Sequence, residues 1–224
     1  MLVDIVRRDE RYRVDFAHTF SIDPGTISVE HIVHALAAFE RTLVLGDSPV
    51  DRYLYARDAT ALSPSAVRGM NLFRGRAQCA TCHLIGKESA LLTDDRYHSI
   101  GIGLPPIAAE LAALTQKVAN TPESQLDALI GSSPAVAALG RFVVTKDPRD
   151  IGNFKTPSLR NVALTAPYMH DGSVGTLEEA LDFELYYRST EKNEPLILTP
   201  AEKADLIAFL LALTSPEALR YTAQ

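Results

Sequence analysis

The sequence predicts an all-α chain in which helices are joined by long wrapping loops. Three observations predict it. Apolar residues recur at helical spacing over residues 27–45 and again over 199–213. Helix-start signals recur at Ser63-Pro64, at Thr176 with Glu179, and at Thr199-Pro200 with Glu202. No alternating strand ladder and no internal repeat stands out. The chain has 224 residues, 46% hydrophobic and 22% charged. That suffices for one domain with a sizeable core, or one domain plus part of another. It excludes a disordered or collagen-like chain. A net charge of −6 leaves no basic stripe for nucleic acid. No run approaches the roughly 18 apolar residues of a membrane span.

The elements run in order along the chain. Residues 1–20 read as helical and rather polar, with Val6, Tyr12, Val14 and Phe16 as apolar contacts. They do not read as a signal peptide, because Arg7, Arg8, Asp9, Glu10 and Arg11 replace an apolar core. The expectation is therefore a mature form or a fragment. From Ile27 to Leu45, Val29, Ile32, Val33, Leu36, Ala38, Phe39 and Leu43 form a helical face capped by Ser28. His31 and His34 lie a turn apart on it and read as solvent-edge side chains, because a metal would need a third ligand. Residues 46–62 form a polar link with a short helix. Ser63-Pro64 opens the next helix by N-cap and N1 proline. After a loop over 93–101, two or three short helices fall between Pro106 and Phe142. Residues 147–175 carry turn chemistry with little periodicity. Thr176–Glu179 then opens a helix toward Tyr187, and Thr199–Glu202 opens the last, with Leu206, Ile207, Leu210 and Leu213 on its apolar face. Loops of this length in a compact chain usually serve a site.

The helix begun at Ser63 runs into Cys79-Ala80-Thr81-Cys82-His83, and these are the two cysteines of the chain. A redox C-x-x-C would come after a strand, whereas the lead-in here is helical. A structural zinc site needs four ligands, and His18, His31, His34, His98 and His170 form no second tight pair. Covalent haem c fits best: two thiols reach the two vinyl groups of one porphyrin, and the histidine falls under the iron. Covalent haem is attached outside the cytoplasm, so a bacterial periplasmic location is expected.

The run Phe154-Lys155-Thr156-Pro157-Ser158-Leu159-Arg160-Asn161-Val162-Ala163-Leu164-Thr165-Ala166-Pro167-Tyr168-Met169-His170-Asp171-Gly172-Ser173 strongly resembles the bacterial dihaem cytochrome c peroxidase family, which includes the maturation enzyme of methylamine dehydrogenase. Ala35–Leu43 resembles that family's helix between two haem domains, and Thr93–Gly101 resembles a loop of its C-terminal domain. The resemblance implies a cytochrome-c-like haem domain. It divides the chain into residues 1–62, a remnant of the N-terminal haem domain with the inter-domain helix, and 63–224, the C-terminal haem domain. It also implies that the single C-x-x-C-H corresponds to the six-coordinate electron-relay haem. The peroxidatic haem, where peroxide binds, has no motif here.

In this family the ligand opposite the proximal histidine lies fourteen residues after the histidine of the P-Y-x-H segment, as methionine or tyrosine. From His170 that register reaches Glu184, with Tyr187 one turn on. An anionic oxygen ligand stabilises ferric iron, and thioether the reduced form. Met169 reads as haem-pocket packing. Lys155 and Arg160 read as partners for haem propionates or as surface cations. His170 reads as a haem-side hydrogen-bonder or a turn cap, and His98 as a structural hydrogen-bonder. Val143, Val144, Phe154 and Leu159 are candidates for an apolar wall. The resemblance places backbone calcium ligands at Thr165 and Pro167, with an asparagine partner outside this chain.

The functional expectation is an electron-transfer module for peroxide reduction. Its electrons would come from a small cytochrome or cupredoxin, and it would work with a second haem domain or partner subunit. The alternatives are a monohaem carrier, or a maturation-type enzyme that oxidises protein tyrosine or tryptophan.

Overall fold

The computed structural model describes residues 2–191 and 196–222. The chain divides into two compact units, Met1–Val44 and Leu45–Gln224.

The first unit holds α1 (Leu2–Arg8), α2 (Glu10–Phe20) and α3 (Val29–Glu40). Asp9 caps α2 by accepting from the Arg11 and Tyr12 amides. Val6, Ile27 and Ile32 are its buried apolar residues. The Arg7 guanidinium donates to the Ile27 carbonyl at 2.9 and 2.6 Å. Ser28 caps α3 as expected, and His31 completes the capping box: its Nδ1 accepts from the Ser28 amide at 3.1 Å. That is a local structural task for His31. Of the expected apolar face only Ile32 is buried, while Val29, Val33, Leu36 and Phe39 are exposed.

The second unit holds α4 (Pro49–Tyr55), α5 (Pro64–Arg74), α6 (Leu111–Asn120), α7 (Glu123–Ser132), α8 (Pro134–Ala137), α9 (Phe142–Thr145), α10 (Leu177–Glu191), α11 (Pro200–Leu211) and α12 (Pro216–Thr222). The compact units divide at residues 44 and 45. α4 belongs with α5 and α11, because Val50 is fully buried in the same core as Phe73 and Phe209, and its amide donates to the Ala212 carbonyl at 3.3 Å. The expected caps form at Ser63, Thr176 and Thr199, and Thr199 with Glu202 and Thr176 with Glu179 make reciprocal capping boxes.

α5 packs closely on α11. A Cβ at Gly69 would lie 1.9 Å from the Asp205 carbonyl oxygen, so only glycine permits this approach. Asp205 then locks the crossing by accepting from the Arg68 guanidinium (2.7 and 2.8 Å) and the Ser65 hydroxyl (2.5 Å). A second apolar cluster joins α6 to α9 through Leu114, Val118, Leu139 and Phe142.

One small sheet departs from the sequence expectation. β1 (Tyr97–His98) pairs antiparallel with β2 (Phe154–Lys155), Tyr97 opposite Lys155 and His98 opposite Phe154. Two-residue strands are too short to carry an alternating pattern.

Candidate haem site

α5 delivers the site. Its apolar face buries Ala66, Met70 and Phe73, and beyond Gly75 the chain turns through a buried Ala77 into a 3-10 turn over Cys79–Thr81. The His83 amide donates to the Cys79 carbonyl at 3.0 Å, so both thiols and the imidazole leave one compact turn. Both thiols are free. Burial pushes the Cys79 thiol up to about 11, Glu184 adds to the rise, and Arg188 opposes it.

The His83 Nδ1–H donates to the Leu92 carbonyl at 2.9 Å. That bond assigns the proton to Nδ1 and leaves Nε2 as the nitrogen that can face a metal. Burial, together with the nearby Arg188 charge, lowers the His83 pKa against the hydrogen bonds to Leu92 and Pro157 and the Asp94 charge, which favours the neutral ring, the form that ligates a metal. Behind it stand Phe73 (ring centroids 6.4 Å) and then Phe209 (5.0 Å from Phe73). Two free thiols beside an oriented neutral imidazole fit haem c attachment.

The loop side is polar. Asp94 accepts from the Arg96 amide (2.9 Å) and pairs with His98 Nε2 (2.7 Å). Burial alone would raise the Asp94 pKa, but the Arg96, His98 and Thr156 hydrogen bonds hold it well below the carboxylate range. The Cys82 sulfur, an Asp94 oxygen and a His98 ring nitrogen lie within 4.8 Å of one another. His98 thus has the structural hydrogen bond expected of it.

His170 stacks on Phe154, ring centroids 3.7 Å apart and planes 15° apart. Gly103, at φ +81°, makes room for it: a Cβ there would sit 3.2 Å from the ring. Met169, beside His170, is half-buried with φ +70°. Val143 joins the second apolar cluster, while Val144 is exposed.

Glu184 and Tyr187 are separated by their surroundings. Glu184 is half-buried and close enough to Cys79 for its charge to act there. The Tyr187 ring lies against Gly101, where a Cβ would be 3.1 Å away, and stacks with Phe183 at 6.0 Å. Arg188, which the sequence did not single out, donates to the Thr81 hydroxyl at 3.0 Å and the Ala77 carbonyl at 3.5 Å. The signal was available: it lies four residues after Glu184, on the same helix face.

The two expected propionate cations have partners within the chain. Arg160 makes a bidentate pair with Asp51, both bonds 2.8 Å. Exposed Lys155 pairs with Asp95 at 3.0 Å. Each carboxylate is supplied from a distant or opposite turn, so spacing along the sequence did not reveal it. Thr165 and Pro167 are exposed, and the Ala166–Pro167 bond is cis. Among the described residues no helix is long and apolar enough to cross a membrane.

A family model described as di-haem cytochrome c peroxidase matches residues 1–59. The chain is 40% identical over 198 residues to the cytochrome-c peroxidase IdrP1 of Pseudomonas sp. (strain SCT), covering 83% of this chain and 49% of that protein. It is 35% identical over 199 residues to the methylamine utilization protein MauG of Methylorubrum extorquens, covering 86% and 46%. The chain thus spans about half the length of these curated relatives. Among solved structures, a MauG-like protein associated with microbial copper homeostasis superposes with TM-score 0.64 at 33% identity, covering 96% of this chain and 61% of that one. The dihaem peroxidase BthA of Burkholderia thailandensis shares the fold, with TM-score 0.63 at 22% identity over 96% of this chain and 58% of its own.

Proposed function

Because this chain belongs to the dihaem cytochrome c peroxidase and MauG family, we propose that its second unit binds one haem c and relays electrons toward peroxide reduction in a full-length context. The observation that carries the reading is the free Cys79 and Cys82 pair beside a His83 whose Nδ1–H is fixed by Leu92, leaving Nε2 for iron. The bound haem would supply a one-electron centre. Cys79 and Cys82 would anchor it, and His83, with Phe73 beside it, would ligate the iron. Met169 and the Phe154–His170 stack would line the haem pocket. Glu184 or Tyr187 would offer an oxygen ligand. Arg160 and Lys155, paired as they are, would act by bracing loops, and the Thr165 and Pro167 carbonyls would be the positions for a calcium ion.

The partners in this reading are a small donor cytochrome or cupredoxin and a second haem domain, and the compartment is the periplasm, where covalent haem is assembled. A maturation-type activity on protein tyrosine or tryptophan is the second reading. It is favoured by the oxygen side chains at 184 and 187 and by the similarity to MauG. A monohaem carrier is the outcome if the chain turns over no peroxide in any assembly.

Expression with covalent haem tests this directly. The haem should survive acid extraction in the parent chain and be lost when Cys79 and Cys82 are both serine. E184Q and Y187F should identify the distal ligand through the ferric optical and EPR spectra. If neither variant changes the ferric haem, both ligand assignments fail. Peroxide turnover by the chain with this single haem and a reduced donor would overturn the relay role.

A further inference from the structure

We propose that Arg188 is a positioning cation for this haem: its guanidinium stitches the C-x-x-C-H turn to α10 and holds a fixed positive charge beside the iron, which raises the reduction potential. The proposal rests on the haem c reading above and adds a residue that sets the property of the site that matters for electron relay.

The geometry is specific. Nη2 donates to the Thr81 hydroxyl at 3.0 Å and Nη1 to the Ala77 carbonyl at 3.5 Å. Those acceptors bracket Cys79, with Ala77 fully buried before it and Thr81 two residues after it. The donor side chain sits on α10, the helix that also carries Glu184 and Tyr187. One guanidinium therefore spans the proximal turn and the helix of the distal candidates. A planar fork with donors on separate nitrogens can do this, whereas an ammonium offers a single point.

The contacts place the charge at this turn: one guanidinium donates to acceptors on either side of Cys79, four residues before His83. Ferric haem carries one more positive charge than ferrous haem, so a nearby fixed cation disfavours the oxidised form. The half-buried surroundings weaken screening by salt. The sign is thus a higher potential, opposite to the effect of an oxygen distal ligand. The two devices together would bring a ferric-favouring ligand set back into a range where the haem can be reduced by a donor.

Spectroelectrochemical titration of the holoprotein tests this, with R188Q, R188K and T81V measured beside the parent chain. R188Q removes the charge and should lower the midpoint potential. R188K keeps the charge and should recover most of the drop, while melting earlier because the double contact is lost. T81V keeps the guanidinium but removes its nearer anchor, and should lower the potential by a smaller amount. It also serves where R188Q does not retain haem. A parent chain without covalent haem would defeat the haem reading and this inference with it. Haem-loaded proteins of unchanged potential would defeat the inference alone, and so would a fall in R188K as large as that in R188Q. An unchanged T81V potential would likewise overturn the anchored geometry.

Discussion

The helix side of the site and its loop side hold the same histidine by different physics. On the helix side α5 and α11 present Phe73 and Phe209, both essentially buried, in a chain of tilted ring contacts that ends at His83. On the loop side the supports are polar: the Leu92 carbonyl on His83, Thr93 on the Thr156 carbonyl, Asp94 on His98, and Asp51 on Arg160. Apolar packing is tolerant in direction and costly to hollow out. Hydrogen bonds are individually modest but fix direction, and a metal ligand needs direction. The division of labour gives a rigid platform under the imidazole and an adjustable frame around its edge.

The largest effect is expected on the platform. Phe209→Ala removes a fully buried ring that packs 5.0 Å from Phe73. The cost should be about 3–5 kcal/mol, the range for phenylalanine truncation in a close-packed core. Urea unfolding of the holoprotein, monitored by far-UV circular dichroism, measures it. A loss below about 1 kcal/mol, the scale of one hydrogen bond, would mean that packing is not what carries the helix side, and the comparison would collapse.

On the frame, the bidentate Arg160–Asp51 pair ties the 154–173 segment to α4. Arg160→Gln leaves a mostly buried carboxylate with only Ser48 for a partner, and should cost about 2 kcal/mol, as for hydrogen bonds to charged groups. The pair also predicts a pH dependence. Burial pushes the Asp51 pKa up, but the Arg160 and Ser48 hydrogen bonds pull it further down, so the folded value lies below the ordinary 3.8. A depressed carboxyl stabilises the fold fully above that ordinary value, and its contribution is lost as pH falls below it toward the folded pKa. Stability measured against pH should therefore fall on the acid side, and in Asp51→Asn that acid limb should flatten. An unchanged limb would assign it to other carboxylates, with Asp205 the next candidate because Arg68 and Ser65 lower its pKa too.

The same contrast decides what could be read from the sequence. The caps at Ser28, Ser63, Thr176 and Thr199 were legible because capping chemistry is local. The core face of α11 was only partly legible. Ile207, placed on it, packs against the core at its edge, about 100° from Leu206 around the helix, whereas Phe209, overlooked, lies about 60° away. Phe209 is the fully buried one. The stripe on α3 was legible as a helix face, but Val33, Leu36 and Phe39 are exposed: periodicity reports a face and not what covers it. The turn that gathers the two thiols and His83 was legible because its residues lie within five positions of one another. The frame was not. Asp51 with Arg160, Thr93 with Thr156 and Arg188 with Thr81 join residues far apart in sequence, and polar pairs of that kind leave no period to detect.

The smallest effect sharpens the comparison most, because it separates stability from direction. Thr93→Val keeps shape and volume but removes the hydroxyl that donates to the Thr156 carbonyl at 2.7 Å and accepts from the Asp95 amide at 3.0 Å. Thr156 is buried, so its carbonyl loses a partner that water replaces poorly, and the cost should be about 1 kcal/mol. Thr93 comes directly after Leu92, whose carbonyl orients His83. Loosening that neighbour should therefore broaden or shift the ferric haem spectrum while the unfolding midpoint barely moves. Phe209→Ala should do the reverse in proportion, with a large loss of stability for a given spectral change. If the two variants instead changed spectrum and stability in the same ratio, platform and frame would be one cooperative unit, and the distinction between apolar support and polar aim would not hold for this site.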